Sequence, residues 1–330
     1  MNNHTLHIQP SASPPPTAAP HPPRTLPVRI LGLDVTATPG PRKPLTLAVC
    51  DLAPGKGNAP YGADAPPVLT LHELRELHAL DDLDRLFGGQ LDASFAGGDG
   101  AVGGGWVLGI DAPFGLPLEL VEELGWPRDW AGYAALCGAM DRADFRDLLR
   151  GVSATRPAGQ KYLYRACDRA AGAASPMNTV RPPVALMFHA VAPRLAAHAV
   201  HVPALRPLPH ADRVALEAYP GWLARQLIGR APYKGGDAAS RPARREARAA
   251  LLRGLAGLPS LAVRWNADHE ARMLDDPEAD LLDALLCAVQ AAVSTLRSGY
   301  GLPAPTAPPC GITAAQLRVE GWIAGLPPEE

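Results

Sequence analysis

Three short apolar runs that each end on an acidic residue constrain the fold of this chain most. The runs VRILGLD (28–34), WVLGID (106–111) and RVALE (213–217) are rich in branched aliphatic residues, and a turn containing proline and glycine follows each. Such runs are typical of buried β-strands. In an open α/β sheet, ligands gather at the carboxyl ends of the strands. Acids at these positions can therefore meet in the fold although they lie far apart in the sequence.

The segments around these runs predict an α/β protein with a mixed sheet flanked by helices. LTLAVCD (45–51) and PVLTLHEL (67–74) predict two more strands. A mainly helical insertion over about 118–210 is expected between the fourth and fifth strands. The order of three strands, helix, strand, insertion, strand and helix is that of the ribonuclease H-like fold, although α/β proteins share many such fragments.

Two of the helices in this order have recognisable apolar stripes. Leucines at positions 74, 77, 80, 83 and 86 predict a helix within 73–87. The last helix is predicted to start with Asp276 as its N-cap and Pro277 at its first position. It carries one stripe formed by Leu282, Leu286, Val289 and Val293.

Five acids are candidates for a catalytic site. Asp34, Asp111 and Glu217 end the three strands, while Asp280 and Asp283 lie three residues apart on one face of the last helix. Carboxylates in one pocket repel each other unless cations neutralise them, and hard cations such as Mg²⁺ or Mn²⁺ take oxygen ligands. Two such ions about 3.5–4 Å apart can orient a water and stabilise the leaving oxygen of a phosphodiester.

Each acid also has a purely structural interpretation. Asp34 and Asp111 could cap turns, and Asp280 could interact with the dipole at the start of its helix. Glu217 and Asp283 fit such interpretations less well, because glutamate is a poor turn former and Asp283 lies one turn deeper between leucines. The five acids together favour a functional site more than any one of them does alone.

Several segments of the chain resemble the DUF429 family of predicted nucleases with a ribonuclease H-like fold. The likeness extends over roughly residues 28 to 298, and the helix pattern D-x-x-D-A-L is also similar to that of RuvC-type resolvases. The resemblance implies that Asp34, Asp111, Asp280 and Asp283 bind metal, and that Glu217 matches the strand-end glutamate of the family. The segments that carry it are GLD (32–34), GIDAPFGLP (109–117), YRACDRAAGAASPMN (164–178), LEAYPGWLARQLIGRAPYK (216–234) and DLLDALLCAVQAA (280–292).

Two basic segments are candidates for contacts with DNA or RNA. In the first, cations alternate with tyrosines, as in single-strand binders, although ordinary packing explains many such clusters. In the second, a helix face suits phosphates, with a solvated face as the alternative. Lys234 lies in a loop from which we expect it to reach a scissile phosphate. The predicted nucleic-acid contacts are Lys161, Arg165 and Arg169 in the first segment and Lys234, Arg241, Arg244, Arg245 and Arg248 in the second.

The leading functional hypothesis is a metal-dependent nuclease acting on DNA or RNA. A non-catalytic nucleic-acid binder or scaffold of the same fold is an alternative that the sequence leaves open. An actin-like or sugar-kinase-type ATPase is disfavoured, because DVTATPGPRKP (34–44) has one glycine between prolines where a phosphate-binding hairpin needs more. We find neither a P-loop nor a nucleophile elbow.

Composition sets the remaining expectations. The net charge of −2 gives no global basic field, so any contact with nucleic acid must use a local patch. Five cysteines without a C-x-x-C pair argue against disulfides and zinc, and no apolar run reaches the length of a membrane span, so we expect a cytoplasmic protein with no membrane partner. The proline-rich residues 1–26 are expected to form a disordered tail, followed by one domain over 27–300 and a C-terminal extension over 301–330.

Overall fold

The computed structural model describes residues 25–55, 65–95, 105–304 and 312–327. The expected disordered tail falls, except for residues 25 and 26, outside the described residues. The strands are β1 (Val28–Asp34), β2 (Leu45–Ala53), β3 (Val68–Leu77), β4 (Trp106–Asp111), β5 (Arg213–Glu217) and β6 (Ala262–Arg264). The helices are α1 (Asp81–Phe87), α2 (Leu118–Glu123), α3 (Trp130–Gly138), α4 (Arg142–Thr155), α5 (Ala166–Ala171), α6 (Val184–Ala197), α7 (Pro220–Ile228), α8 (Arg241–Ala256), α9 (Ala267–Asp275), α10 (Asp280–Thr295) and α11 (Ala314–Glu320).

The six strands form one mixed sheet in the order β5-β4-β1-β2-β3-β6. β1, β2 and β3 pair antiparallel, whereas β4 runs parallel to β1 and β5 runs parallel to β4. The prediction of an α/β protein with a mixed sheet flanked by helices is confirmed. β6, which pairs parallel with β3, was not predicted because its three residues are too few for a recognisable pattern.

Helices cover both faces of the sheet. One hydrophobic core contains Leu31, Leu33 and Leu108 of the sheet together with side chains of α1, α3, α4 and α6. A second core contains Ile30 and Val107 together with side chains of α7, α8, α9 and α10. The alternation of side chains along each strand sends neighbouring residues to opposite cores, as expected for a strand buried on both faces. Within the described residues, no helix is long and apolar enough to cross a membrane.

Two predicted helix boundaries are wrong for reasons that the structure explains. Residues 73–77 belong to β3, not to a helix, because Leu74 and Leu77 lie on opposite faces of this strand and pack into opposite cores. A spacing of three leucines therefore fits this strand as well as a helix. Asp276 is not the N-cap residue of α10, since Ala279 occupies that position with a φ of 60°. Asp276 lies in the preceding turn, where its carboxylate accepts from the Glu278 amide and from the Leu281 amide in the first turn of the helix.

The helical segment between β4 and β5 contains α2 to α6, in agreement with the predicted insertion. The C-terminal segment lies along the outer edge of β5, where Ile323 forms a parallel bridge with Glu217. The Ala324 amide donates to the Glu217 carbonyl at 2.7 Å, and Gln290 of α10 donates to the Ala324 carbonyl at 2.9 Å. These bonds satisfy backbone groups that an exposed edge strand would leave unpaired.

Two glycines allow α10 to lie directly on the sheet. Gly32 of β1 and Gly109 of β4 are paired in the parallel ladder. A Cβ atom at Gly32 would stand 2.0 Å from the carbonyl oxygen of Ala284, and one at Gly109 would stand 2.3 Å from that of Cys287. The absence of side chains at these positions therefore lets the start of α10 approach the carboxyl ends of β1 and β4.

Gly32→Ala is expected to destabilise the protein by about 3 kcal/mol, the upper range for adding a methylene to a packed core. The added methyl must push α10 away from the sheet, since it meets backbone atoms rather than a flexible side chain. Urea unfolding monitored by circular dichroism measures this loss. Gly40→Ala is the matched control, because nothing lies within 4 Å of the added atom there. Equal stability of the two variants would contradict the close packing of α10.

Candidate metal centre

Asp34 and Asp111 lie side by side at the carboxyl ends of two adjacent parallel strands. Their Cα atoms are partners in the ladder between β1 and β4, and the charge of Asp111 helps to raise the pKa of Asp34. Asp34 is buried, whereas Asp111 is partly exposed. Two neighbouring carboxylates repel each other when both are ionised, which favours the retention of a proton. The pair is therefore a place where a cation can replace a proton.

The first turn of α10 adds two acids to this pair. Asp280 is partly exposed and Asp283 is fully buried. After burial itself, the charges of Asp283, Asp111 and Asp280 are the causes that raise the pKa of Asp34 well above its ordinary value. The four aspartates therefore form one group of interacting carboxyls, which we call the aspartate cluster. This arrangement agrees with the prediction that the carboxyl ends of β1 and β4 lie close to the start of the last helix.

Protons stay in the aspartate cluster near neutral pH. Burial raises the pKa of Asp111 to about 7, and the charge of Asp283 adds to this effect while Lys234 opposes it. Burial also raises the pKa of Asp280 to about 6, with Lys43 opposing. A positive charge delivered to the cluster would lower both pKa values, since it stabilises the ionised form. The hard oxygen donors and their need for positive charge fit a divalent cation such as Mg²⁺ or Mn²⁺.

Metal-free protein is expected to lose stability as the pH rises from about 4 to about 7. An aspartate with an ordinary pKa of 3.8 and a folded pKa of about 7 binds more protons in the folded state over this range. The free energy of unfolding therefore falls with rising pH, and the contribution is fully present only below the unfolded pKa. Urea unfolding in EDTA at several pH values checks this slope.

Asp111→Asn should make that pH dependence shallower, because it removes one of the carboxyl groups whose pKa is raised. Asp147→Asn, at an exposed position on α4, should leave the slope as it is in the unchanged protein. A slope that is identical in all three proteins would show that Asp111 is ionised at neutral pH without any cation.

Asp283 differs from the other three aspartates, because partners already engage both of its oxygens. The Tyr233 hydroxyl donates to its Oδ1 at 2.8 Å, and the Lys234 ammonium pairs with its Oδ2. In the described part of the chain, no comparable ion pair involves Asp34, Asp111 or Asp280. Lys234 was predicted to contact nucleic acid, and the structure joins it to the cluster itself.

Glu217 ends β5 as predicted, but its carboxylate is paired with Arg165. The Arg165 guanidinium donates to Glu217 Oε1 at 2.5 Å and to Oε2 at 2.7 Å, and it also binds Asp168. The backbone amide of Phe114, three residues after Asp111, donates to Glu217 Oε2 at 2.8 Å. Glu217 therefore anchors the turn that follows Asp111, and its contacts are those of a positioning residue rather than of a free catalytic carboxylate.

Within the described ranges, one group of ligand atoms is compact enough to hold a metal ion as it stands, and it lies outside the aspartate cluster. A sulfur of Cys167 and oxygens of Asp168 and Glu217 lie within 4.8 Å of one another, and all three residues are buried. Arg165 already forms ion pairs with both carboxylates, and burial raises the pKa of the Cys167 thiol, which keeps it protonated. The group is therefore satisfied as a buried ion pair. The aspartate cluster is more open, since no three of its acids meet this distance.

The structure corrects two of the predicted nucleic-acid contacts. Arg165 is 1% exposed, and Arg248 is 4% exposed and donates to the carbonyls of Tyr233 and Leu274. A phosphate cannot reach either guanidinium in this conformation. Both arginines have basic residues near them in the sequence, and this pattern predicts an exposed basic patch. The local sequence does not show that their hydrogen-bond partners lie on other elements.

The other predicted cations are more accessible. Lys161, Arg169, Arg241 and Arg245 are exposed, and Arg244 is partly exposed. The Arg169 guanidinium lies over the Tyr164 ring at 5.3 Å, Arg245 pairs with Asp275, and Arg244 donates to the Lys234 carbonyl at 2.5 Å. On α8, Arg241 and Arg245 are thus exposed to solvent, whereas Arg244 and Arg248 hydrogen-bond to the loop that contains Lys234.

The fold and the cluster define an α/β protein with interacting carboxyls at the carboxyl end of its parallel strands. A family model described as "Protein of unknown function (DUF429)" matches residues 101–308, which include Asp111, Asp280 and Asp283 but not Asp34. The chain belongs to the DUF429 family. Comparison with curated proteins and with solved structures found no match.

Proposed function

We propose that this protein is a metal-dependent nuclease of ribonuclease H-like fold that hydrolyses phosphodiester bonds of DNA or RNA. The observation that carries the proposal is the pair of Asp34 and Asp111 at two adjacent strand ends, whose carboxyl groups interact with two further aspartates of α10. The sheet order supports the fold, because three antiparallel strands lead the chain and the parallel strands β4 and β5 continue from β1.

Asp34 and Asp111 are the residues that would hold the divalent metal, Mg²⁺ or Mn²⁺, and Asp280 would bind it through a water molecule. Their carboxylates are the members of the cluster without a paired ammonium or guanidinium group among the described residues. A bound cation of this kind activates a water molecule and stabilises negative charge on a phosphodiester. The partial exposure of Asp111 and Asp280 leaves this side of the cluster open to a substrate, while Asp34 is buried beneath them.

The turn after Asp111 helps to keep that carboxylate in place. Glu217 accepts the Phe114 amide, and the indole of Trp130 donates to the Phe114 carbonyl at 2.6 Å. The backbone amide and the backbone carbonyl of Phe114 are thus both hydrogen-bonded to buried side chains. A catalytic group held by such contacts loses less freedom when substrate binds, which favours reaction.

Nucleic acid would be bound through exposed cations and tyrosine rings. Lys161, Tyr162, Tyr164 and Arg169 are exposed on the segment that precedes and begins α5. Cations contact phosphates, and exposed rings can stack on unpaired bases. The combination favours a substrate with single-stranded character.

Replacing Lys161 and Arg169 together by alanine is expected to weaken nucleic-acid binding and to reduce its salt dependence. Each lost phosphate contact lowers the slope of log K against log salt by about 0.7 for single strands. Fluorescence anisotropy of a labelled oligonucleotide at several salt concentrations measures both effects. Arg264→Ala is the control, because this exposed arginine lies on β6 at the other edge of the sheet. An unchanged slope would remove this segment from the binding surface.

The proposed activity is tested by incubating the purified protein with single-stranded and double-stranded DNA and RNA. Cleavage of at least one substrate with Mg²⁺ or Mn²⁺, and none in EDTA, is the expected result. Binding of nucleic acid without cleavage under any of these conditions would instead assign the chain to the non-catalytic binders of this fold.

A further inference from the structure

The loop between α7 and α8 carries a positive charge of the chain itself into the aspartate cluster. The Lys234 ammonium pairs with Asp283 Oδ2, and its nitrogen lies 5.4 Å from the centre of the Tyr233 ring. Burial alone would lower the pKa of Lys234, but the carboxylates of Asp283 and Asp111 outweigh that effect and raise it. The lysine is therefore a permanent cation, and 47% of its side chain remains accessible to a ligand.

The backbone of this loop is fixed from several sides. Arg248 donates to the Tyr233 carbonyl at 2.8 Å, and Arg244 donates to the Lys234 carbonyl at 2.5 Å. The Gly235 amide donates to the Pro277 carbonyl at 2.8 Å, and Gly235 has a φ of 64°, which glycine adopts without strain. Two arginines of α8 and the segment before α10 thus hold Lys234 in position. Such a placement differs from that of an ordinary surface lysine.

Asp283 is committed to this lysine. Its carboxylate is fully buried, and its two oxygens accept from the Tyr233 hydroxyl and the Lys234 ammonium. A divalent cation bound to Asp283 would stand beside the ammonium and be repelled by it. Asp34, Asp111 and Asp280 have no such partner among the described residues, so they remain available to a metal.

We propose that the site takes one divalent cation rather than two. Asp34 and Asp111 hold that cation, with Asp280 bound to it through water, and Lys234, anchored by Asp283, supplies the second positive charge for the phosphate of the substrate. This inference rests on the proposed nuclease function and changes the role of Asp283, which anchors the lysine instead of binding metal. It also gives Arg244 and Arg248 a role as positioning residues for Lys234.

The test is the number of Mn²⁺ ions bound per chain, measured by calorimetric titration and by electron paramagnetic resonance of free Mn²⁺. The unchanged protein is expected to bind one ion. Lys234→Met removes the ammonium and leaves Asp283 free, so this variant is expected to bind two ions. The double variant Lys234→Met with Asp283→Asn removes the pair at constant net charge and is expected to return to one ion.

The outcomes separate this inference from the proposed function. Two ions in the unchanged protein, or loss of Mn²⁺ binding in the double variant, would overturn the single-cation site even if the protein cleaves nucleic acid. One ion in the unchanged protein and in the double variant, with two ions in Lys234→Met, supports it, even if no substrate is cleaved and the nuclease proposal fails. One ion in Lys234→Met would overturn it. Lys234→Arg keeps the charge and should also bind one ion, and two ions in this control would show that charge does not set the number.

Discussion

Asp111→Asn is expected to reduce metal-dependent cleavage by at least about 10³-fold, which corresponds to about 4 kcal/mol of lost transition-state stabilisation. Asparagine keeps the size of the side chain and one acceptor oxygen, so a turn-capping role would survive the change. A metal ligand would not survive it, because the negative charge that attracts a hard cation is lost. Initial rates on whichever substrate the unchanged protein cleaves measure the effect.

The control for this variant is Asp147→Asn, which makes the same chemical change on the exposed surface of α4. It should cleave at the unchanged rate. Removal of the Asp111 charge also relieves repulsion from Asp34 and Asp283, so the metal-free variant should unfold no more easily than the unchanged protein at neutral pH. Cleavage at a normal rate by Asp111→Asn would make Asp111 a turn residue and remove it from the site.

Arg165→Met is expected to cost about 3–5 kcal/mol of stability, the usual effect of removing one partner from a buried ion pair. Arg165 is 1% exposed and forms ion pairs with both Glu217 and Asp168. Without it, two carboxylates stay buried with no cation beside them. The Arg165 guanidinium also donates to the Glu320 carbonyl at 3.0 Å, so the variant loses a link to the C-terminal segment.

Arg169→Met is the matched control, since Arg169 is an exposed arginine four residues away whose guanidinium lies over Tyr164. Its effect should stay within about 0.5 kcal/mol, as for most surface substitutions. Urea unfolding of both variants at neutral pH gives the comparison. If Arg165→Met lost less than about 1 kcal/mol, the buried ion pair would not stabilise this fold as described.

The sequence predicted the parts of the structure that depend on short segments. β1, β4 and β5 end at Asp34, Asp111 and Glu217 as expected, because an apolar run followed by an acid and a turn is a local signal. The spacing of three between the leucines around residue 74 wrongly predicts a helix over residues 73–77. Two residues three positions apart lie on opposite faces of a strand but close together on a helix, so the spacing of Leu74 and Leu77 does not distinguish the two when both faces meet a core.

The contacts that decide the roles of individual residues could not be predicted in this way. Lys234 lies 49 residues before Asp283, and Arg165 lies 52 residues before Glu217. Only the folded chain shows that one pair joins the aspartate cluster and the other fixes the turn after Asp111. A basic residue beside aromatic residues gives the same sequence signal whether it is exposed, as Lys161 is, or buried, as Arg165 is.

The most direct test of the account is the effect of Mg²⁺ or Mn²⁺ on the melting temperature of the protein. A ligand that binds only the folded state raises stability by RT ln(1 + [L]/Kd), which is about 2.7 kcal/mol at 100 times Kd. The unchanged protein should therefore melt at a higher temperature with metal than in EDTA, and Asp111→Asn should show no such rise. An equal rise in both proteins, or no rise in the unchanged protein, would contradict a metal centre built on Asp111.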